Sequence, residues 1–517
     1  MLQGITAAAI LFDTLFEQPL SFFQNRGMMV VSRITTPTTT IEPIRWLVAF
    51  LLLLLLLPIR SEPKSTTTSN TNTTPDRQCW KSPSDGTSFL HLIVLVHGYL
   101  GSYREQEYLG EAIMTKSQEL VEDTNNNNSH NDGSCVGNRR HKFVILNAKA
   151  NTKISTDGII NGGQRLAAEI SEWVAQQINN NHNQANKEVV TFSMVGNSLG
   201  GLYGRYALAK LDFLQPPNNQ HTHSKILPLV FCTTSSPHIG VSQETFVKLS
   251  RWMEPIVATA FRQQTMNDLF MVNNSTVVQD MCLNNNNPHP HHADTATTTK
   301  TTNFLYPLSR FQKRIAVANA YKTDFLVSVS SGAFLSPDSD SIHLHQDADE
   351  DPSSSSSSSS STRLMKDDTG CVVLQVVTNP TTSDTVEASS SSSSSLSSRD
   401  DEKDDDEESE SIMLKQCVDS LDELGWHKIF IDTRKMLPGF MNLPTPELEC
   451  RVSYTSKELK EHFETFGTLF PVAHPLNVAN SRTDLYRKIT KKGQPIVDAL
   501  AELLVLDMVE YAEKEVA

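Results

Sequence analysis

A Gly-x-Ser-x-Gly pattern is the clearest candidate for chemistry in this sequence. Gly196-Asn197-Ser198-Leu199-Gly200 follows the apolar and β-branched run 189–192 and precedes a helical pattern over 202–214. A strand, this motif and a helix, in that order, are typical of a nucleophile elbow, whose sharp turn requires small residues two before and two after the serine. The pattern therefore predicts that Ser198 is a nucleophile raised above the edge of a sheet. The alternative is a glycine-rich loop that holds a serine by chance.

A serine nucleophile needs a base to remove its proton and a carboxylate to orient that base. In α/β-hydrolases the acid follows the serine along the chain and the histidine comes last. Asp324 stands a short turn beyond the strand-like run 314–320, so we expect it at the same sheet edge as Ser198. It is the predicted acid. A turn or cap role is the alternative for Asp324, and Asp338 and Asp340 are rival acids inside a polar tract.

The predicted base is His474. Many of the 16 histidines lie in low-complexity tracts or before the serine, whereas His474 stands late in the chain, on a loop ahead of the last helical pattern at 494–513. This position agrees with the order that the chemistry requires. The alternative is a histidine with a purely structural role.

An oxyanion needs backbone N–H donors close to the nucleophile. His97-Gly98-Tyr99-Leu100-Gly101 follows the first strand-like run, and a turn of this kind can aim the Tyr99 N–H at a substrate oxygen. The Leu199 N–H, next to the serine, would supply the second donor. The alternative for the first segment is an ordinary glycine turn.

Alternating strand-like and helical patterns predict the scaffold that positions these residues. Continuous apolar runs are expected of strands buried on both faces of a parallel sheet, and helices between them complete an α/β fold. The predicted strands are 89–96, 143–146, 189–195, 226–233 and 314–320, and the predicted helices are 107–120, 163–178, 202–214 and 494–513. Residues 246–272 mix apolar and polar positions at helical spacing, which fits a cap helix over the site or a helix that covers the sheet.

Polar tracts interrupt this pattern. The segments 124–141, 283–303 and 336–411 are rich in Asn, His, Thr or Ser and are expected to be disordered inserts, except that 371–377 fits a short edge strand. Residues 336–411 contain 19 acidic and 4 basic side chains, which accounts for the whole net charge of −15. The rest of the chain is close to neutral and has no basic stripe, so nucleic acid is not an expected partner.

The seven cysteines form no Cys-x-x-Cys pair and show no metal-ligand spacing. Their odd number argues against a full disulfide framework and leaves one or two bridges open. We expect no metal and no cofactor, because the chemistry outlined above needs neither.

Residues 46–59 form an apolar stretch flanked by Arg45 and Arg60. Fourteen helical residues span about 21 Å, which is shorter than a bilayer core and fits a signal-peptide core or an uncleaved signal anchor. We therefore expect residues 1–81 to be a targeting segment and a Ser/Thr/Asn linker, and 82–517 to be the folded domain. Asn-x-Ser/Thr sequons agree with a secretory or membrane-associated location.

Four segments together resemble the serine esterase/lipase family once filed under a domain-of-unknown-function heading, in the α/β-hydrolase superfamily. They are 93–101, 157–166, 194–206 and 233–240, the last of which reads Thr-Thr-Ser-Ser-Pro-His-Ile-Gly. The resemblance implies an α/β-hydrolase fold, a Ser198/Asp324/His474 triad and activity on lipid or other carboxylic esters. Many related proteins carry histidine where this chain has Asn197, a position outside the triad.

The sequence thus favours a serine hydrolase that cleaves carboxylic esters, with a lipid or another ester as its substrate. An acyltransferase or a thioesterase would use the same residues with a different acceptor or leaving group. A non-catalytic member of the fold that binds a lipid or a protein is the third interpretation, and it would need a broken triad.

Overall fold

The fold was examined in a computed structural model. It describes residues 88–127, 140–181, 188–216, 226–242, 251–261, 263–283, 302–320, 323–335, 372–377, 405–436 and 473–515. These residues belong to one unit of the chain, which covers 81–246 and 250–517. The predicted apolar segment 46–59, the linker before residue 82 and most of the predicted inserts lie outside the described residues.

The strands follow the apolar runs of the sequence closely. They are β1 (Ser88–Val96), β2 (Arg140–Asn147), β3 (Glu188–Asn197), β4 (Leu227–Thr234), β5 (Lys313–Asn319), β6 (Val372–Val377) and β7 (His427–Ile431). They form one sheet in the order β2-β1-β3-β4-β5-β7-β6. All neighbours pair in parallel except β6, which runs antiparallel to β7 at the edge. The edge strand expected at 371–377 is therefore confirmed.

Helices alternate with the strands. They are α1 (Glu107–Asn127), α2 (Ile159–Asn181), α3 (Leu199–Leu208), α4 (Glu254–Phe261), α5 (Gln264–Phe270), α6 (Val277–Cys282), α7 (Leu305–Ser309), α8 (Val329–Gly332), α9 (Asp405–Asp422), α10 (Asp484–Thr490) and α11 (Gln494–Lys514). Short 3₁₀ turns lie at Asp212–Leu214, Arg251–Met253, Arg434–Met436 and Lys491–Gly493. No helix within the described ranges has the length and apolar character needed to cross a bilayer.

The helices cover both faces of the sheet. Val195 belongs to an apolar cluster with residues of α1 and α11, whereas its neighbour Met194 lies against Gly204 of α3. Since successive side chains of a strand point to opposite faces, α3 covers the face opposite to α1 and α11. A mostly parallel sheet between two helical layers, with a sharp strand-to-helix turn after a central strand, is the α/β-hydrolase fold that the sequence predicts.

The acidic run of the third insert departs from the prediction. Helix α9 begins at Asp405, so the last seven residues of the range 336–411, which were expected to be disordered, are helical. Acidic side chains near a helix N-terminus stabilise the helix through its dipole. The first residues of α9 read Asp-Asp-Glu-Glu, which explains why a strongly acidic run begins a helix here.

Residues 246–272 do not form one helix. Arg251–Met253 and α4 carry Trp252 and Ile256, which are 70% and 59% exposed, whereas Glu254 and Ala258 of α4 are buried. Helix α5 is mostly buried and is tied to the start of α2, because Asp268 Oδ2 accepts a hydrogen bond of 2.7 Å from the Ile159 N–H.

Candidate active site

The strand order creates a crevice between β1 and β3. From β1 the chain passes to β2 on one side, and then returns to β3 and continues toward the other edge. In open parallel sheets, ligands bind at such a switch point, beyond the carboxyl ends of the strands. The His97–Gly101 loop leaves β1 there and Ser198 leaves β3 there, so the topology brings the two predicted halves of an oxyanion site to one place.

Ser198 has the backbone of a strained turn. Its φ and ψ are 54° and −128°, it lies between the end of β3 and the start of α3, and it is 6% exposed. Its N–H donates to the Thr234 carbonyl at 2.8 Å, which fixes the turn to the end of β4. A non-glycine residue in such a conformation costs of order 1–3 kcal/mol and is found mainly at functional sites. This geometry fits the nucleophile elbow that the motif predicts.

Three glycines make room for this turn. A Cβ on Gly196 would lie 2.6 Å from Gly201 Cα, and one on Gly200 would overlap Val96 O. A Cβ on Gly98 would lie 2.8 Å from Ser198 Cβ and 3.3 Å from Ser198 Oγ. The β1 loop therefore packs its backbone directly against the serine, which only glycine permits.

The two predicted oxyanion donors, the Tyr99 and Leu199 N–H groups, directly follow the two residues in this contact, Gly98 and Ser198. The Gly98 N–H donates to Glu105 Oε1 at 2.9 Å and the Leu100 N–H to Ser155 Oγ at 2.8 Å. Between them, the Tyr99 N–H has no hydrogen-bond acceptor among the residues that the structure describes. Leu199 is the first residue of α3, so its N–H has no acceptor within the helix. Both donors are suited to an anionic substrate atom.

Asp324 and His474 form a pair although 150 positions separate them. His474 Nδ1 lies 2.7 Å from Asp324 Oδ2, and the carboxylate is almost fully buried. Asp324 Oδ1 also accepts from the Leu326 and Val327 N–H groups at 3.1 and 3.2 Å. Burial lowers the pKa of His474, but the charge and hydrogen bond of Asp324, together with the charge of Glu105, raise it to a value above the ordinary one.

Ser235 connects this pair to the elbow. Its N–H donates to Val317 O at 2.8 Å, and its hydroxyl accepts from Asn319 Nδ2 at 3.1 Å and from Asn477 Nδ2 at 2.6 Å. Asn319 Nδ2 also donates to Asp324 Oδ2 at 3.2 Å. Because Ser235 follows Thr234, the acceptor of the Ser198 N–H, hydrogen bonds and one peptide link lead continuously from the elbow to the acid and to the His474 loop.

Ser198 Oγ itself makes no hydrogen bond within the described part of the chain, and His474 pairs with Asp324 rather than with the serine. Catalytic hydrogen bonds are often long or poorly aligned before a substrate is bound. The structure thus joins acid to base directly, and places the serine at the same sheet edge without a hydrogen bond to the base among the described residues.

Four site residues were given no role from the sequence: Glu105, Ser235, Asn319 and Asn477. Ser235 lies inside the Thr-Thr-Ser-Ser-Pro-His-Ile-Gly segment that carries the family resemblance, so that segment pointed to it without giving it a role. The other three lie on separate loops or strand ends and meet only in the folded chain. Among the described residues, no cluster of His, Cys, Asp and Glu is suited to hold a metal ion.

Residues 87–335 match the family described as "Putative serine esterase (DUF676)". The match confirms the resemblance drawn from the motifs; it includes Ser198 and Asp324 and ends before His474. No curated protein matches the chain.

Similar solved structures include the lipase BlEst2 of Bacillus licheniformis in its propeptide form. It is 15% identical, with 44% of this chain and 36% of that chain covered and a TM-score of 0.24. The phospholipase PlaB of Legionella pneumophila in complex with thio-NAD is 11% identical, with 47% and 44% covered and a TM-score of 0.26. The match thus covers less than half the length of either of these two chains.

Proposed function

We propose that this protein is a serine hydrolase that cleaves carboxylic esters through Ser198, His474 and Asp324. The observation that carries the proposal is the contact of 2.7 Å between His474 and Asp324, at the sheet edge where the strained turn presents Ser198. A base oriented by a buried carboxylate, next to a serine on an elbow, is the arrangement that activates a hydroxyl. The match to a family described as serine esterases supports the same reaction.

In the proposed reaction, His474 Nε2 takes the Ser198 proton while Oγ bonds to the acyl carbon. The Tyr99 and Leu199 N–H groups hold the oxyanion, and each such donor typically contributes about 3 kcal/mol to transition-state stabilisation. His474 then gives its proton to the leaving alkoxide, the C–O bond breaks, and an acyl-enzyme remains. Water, deprotonated by the same imidazole, attacks the acyl carbon and releases the acid and the free serine.

Asp324 is proposed to act on His474 in two ways. Its bond to Nδ1 fixes the tautomer that leaves Nε2 free to accept a proton. Its charge also raises the pKa of His474, so the carboxylate stabilises the imidazolium that forms in each half of the reaction. The two backbone N–H groups bonded to Asp324 Oδ1 keep the carboxylate aligned with the ring.

A lipid ester is the proposed substrate class. Leu100 and Ile154 are 48% and 46% exposed, and the hydrogen bond from the Leu100 N–H to Ser155 Oγ brings their loops together beside Tyr99. Exposed apolar side chains next to an oxyanion donor provide a surface for an acyl chain. Association with a membrane through 46–59, on a secretory route, is part of the proposal and is supported by the sequence alone.

The test is turnover of p-nitrophenyl esters with acyl chains of increasing length. We expect activity that is lost on Ser198→Ala, by roughly 10⁴-fold or more, because no other group replaces the nucleophile. Ser117→Ala is the matched control, since Ser117 is a buried serine in the middle of α1. Equal turnover by wild type and Ser198→Ala would contradict the proposal. Faster acyl transfer to an added alcohol than to water would show that the reaction is acyl transfer and not hydrolysis, carried out by the same residues.

A further inference from the structure

We propose that Glu105 is a positioning residue of this site, which ties the oxyanion loop to the nucleophile elbow and places a second negative charge next to the acid–base pair. The inference rests on the proposed function, and it concerns a residue that lies in none of the motifs.

Glu105 joins the two loops through one oxygen atom. Oε1 accepts from the Gly98 N–H at 2.9 Å and from Asn197 Nδ2 at 2.7 Å, and Glu105 is 3% exposed. Asn197 is held in turn by Thr234, whose hydroxyl donates to Asn197 Oδ1 at 2.9 Å. Gly98 directly precedes Tyr99, and Ser198 alone separates Asn197 from Leu199. The carboxylate therefore fixes the spacing of the two proposed oxyanion donors.

The main chain of Glu105 contacts a third part of the site. Its carbonyl accepts from the Ser481 N–H at 3.3 Å, on the loop that begins near His474. Glu105, a single residue in the segment that leads into α1, thus contacts the β1 loop, the elbow and the loop of the predicted base. The first two contacts use the carboxylate and the third uses the main chain, so the link between the β1 loop and the elbow is the one that depends on the Glu105 side chain.

The charge of Glu105 acts on the imidazole as well. The charged side chains that influence His474 are Asp324 and Glu105, and both raise its pKa against the effect of burial. His97 Nδ1 lies 3.0 Å from Gly98 O, and a Cβ on Gly101 would collide with both His97 Nδ1 and Glu105 Oε2. Because its charge raises this pKa, the Glu105 carboxylate favours the imidazolium formed during turnover, in addition to the contribution of Asp324.

Two substitutions separate the charge from the hydrogen bonds. Both donors reach Oε1, so the amide oxygen of Glu105→Gln can keep both bonds while the charge is lost. Glu105→Ala removes the bonds and the charge together. The matched control is Glu107→Gln, two residues from Glu105. Glu107 is partly exposed and pairs with Arg487 at 3.2 Å, so this change also removes one negative charge.

We expect Glu105→Gln to lower the pKa of His474 by roughly 0.5–1 unit. Because turnover requires neutral His474, the acid limb of kcat/KM then moves to lower pH by the same amount. Glu105→Ala is expected to lower kcat by roughly 10²-fold with a smaller change in KM, since misplaced donors impair the transition state more than binding. Glu107→Gln should match wild type in both measurements.

NMR titration of histidine-labelled protein, with the His474 signal assigned through His474→Gln, measures the pKa without any turnover. An unchanged pKa in Glu105→Gln would overturn the electrostatic role, and a kcat within twofold of wild type in folded Glu105→Ala would overturn the positioning role. If wild type cleaves no ester while the pKa of His474 still falls in Glu105→Gln, the proposed function fails and the electrostatic role of Glu105 stands.

Discussion

The nucleophile half of the site and the acid–base half are held in place by different forces. Around Ser198 the positioning is steric: a turn with φ of 54°, and glycines at 196, 200 and 98 where a Cβ would collide with backbone or with the serine itself. Around Asp324 and His474 the positioning comes from side-chain and backbone hydrogen bonds between loops and strand ends. The first half depends on close packing in addition to the hydrogen bonds of the Ser198 N–H and of Glu105, and the second half depends on a network of polar groups.

This difference predicts different responses to substitution. Close packing tolerates few added atoms, because interiors adjust only slightly to extra volume. A network of several hydrogen bonds can lose one member and keep the rest, at about 1–3 kcal/mol for each buried group left without a partner. Changes in the acid–base half are therefore graded, except at the acid itself.

Asp324→Asn is expected to have the largest effect, since the amide no longer enforces the reactive tautomer of His474. We expect kcat to fall by roughly 10⁴-fold. The carboxylate raises the pKa of His474, so its removal lowers that pKa, and the residual activity should persist to lower pH than that of wild type. The check is a pH profile of kcat/KM for both proteins. If the acid limb of kcat/KM stays at the same pH in Asp324→Asn, Asp324 does not act on the base.

Gly98→Ala tests the steric half. The new methyl group would lie 2.8 Å from Ser198 Cβ, so the β1 loop or the elbow must shift. We expect kcat to fall by roughly 10²-fold, because small displacements of the reacting groups are costly. Gly110→Ala, in α1, is the matched control: its nearest contact is 3.4 Å and alanine favours the helix, so activity should stay and stability should rise slightly. Equal effects of the two changes on kcat would refute the steric account.

Ser235→Ala tests the polar half and should have the smallest effect. It removes the acceptor of the Asn319 and Asn477 amides, and we expect a loss of about 1–3 kcal/mol in the free energy of unfolding with a kcat lower by roughly tenfold. Ser193→Ala is the control, because the Ser193 hydroxyl accepts from the Val230 N–H in the sheet, at 3.3 Å, away from the acid–base pair. Its stability should fall while its kcat stays. A parallel loss of kcat in both variants would mean that stability alone sets the activity.

The two halves also differ in how much the sequence reveals. The elbow is visible because its sterics require glycine at fixed offsets from Ser198, and the strands are visible because parallel strands buried on both faces are continuously apolar. The choice of Asp324 and His474 needed the order of the chain as well as local pattern, and the structure brings these two side chains together. Their catalytic roles, and those of Ser198, Tyr99 and Leu199, stay predictions.

Other parts of the molecule had no local signal. Glu105 and Asn477 act through partners that are distant in the sequence, and such contacts leave no periodicity or spacing to detect. The pairing of β6 with β7 depends on strands joined through a long polar segment. Helix α9 was missed because its N-terminal acidic run has the composition of a disordered tract, although the helix dipole favours the same charges.

The central claim is that Ser198 is the nucleophile and His474 its base, and covalent labelling tests it most directly. A fluorophosphonate probe reacts with an activated serine hydroxyl, and mass spectrometry of the digested protein locates the adduct. We expect a single adduct on the peptide that carries Ser198, with labelling lost in Ser198→Ala and strongly slowed in His474→Gln. An adduct on another residue, or ester turnover by a protein that the probe leaves unmodified, would contradict the account.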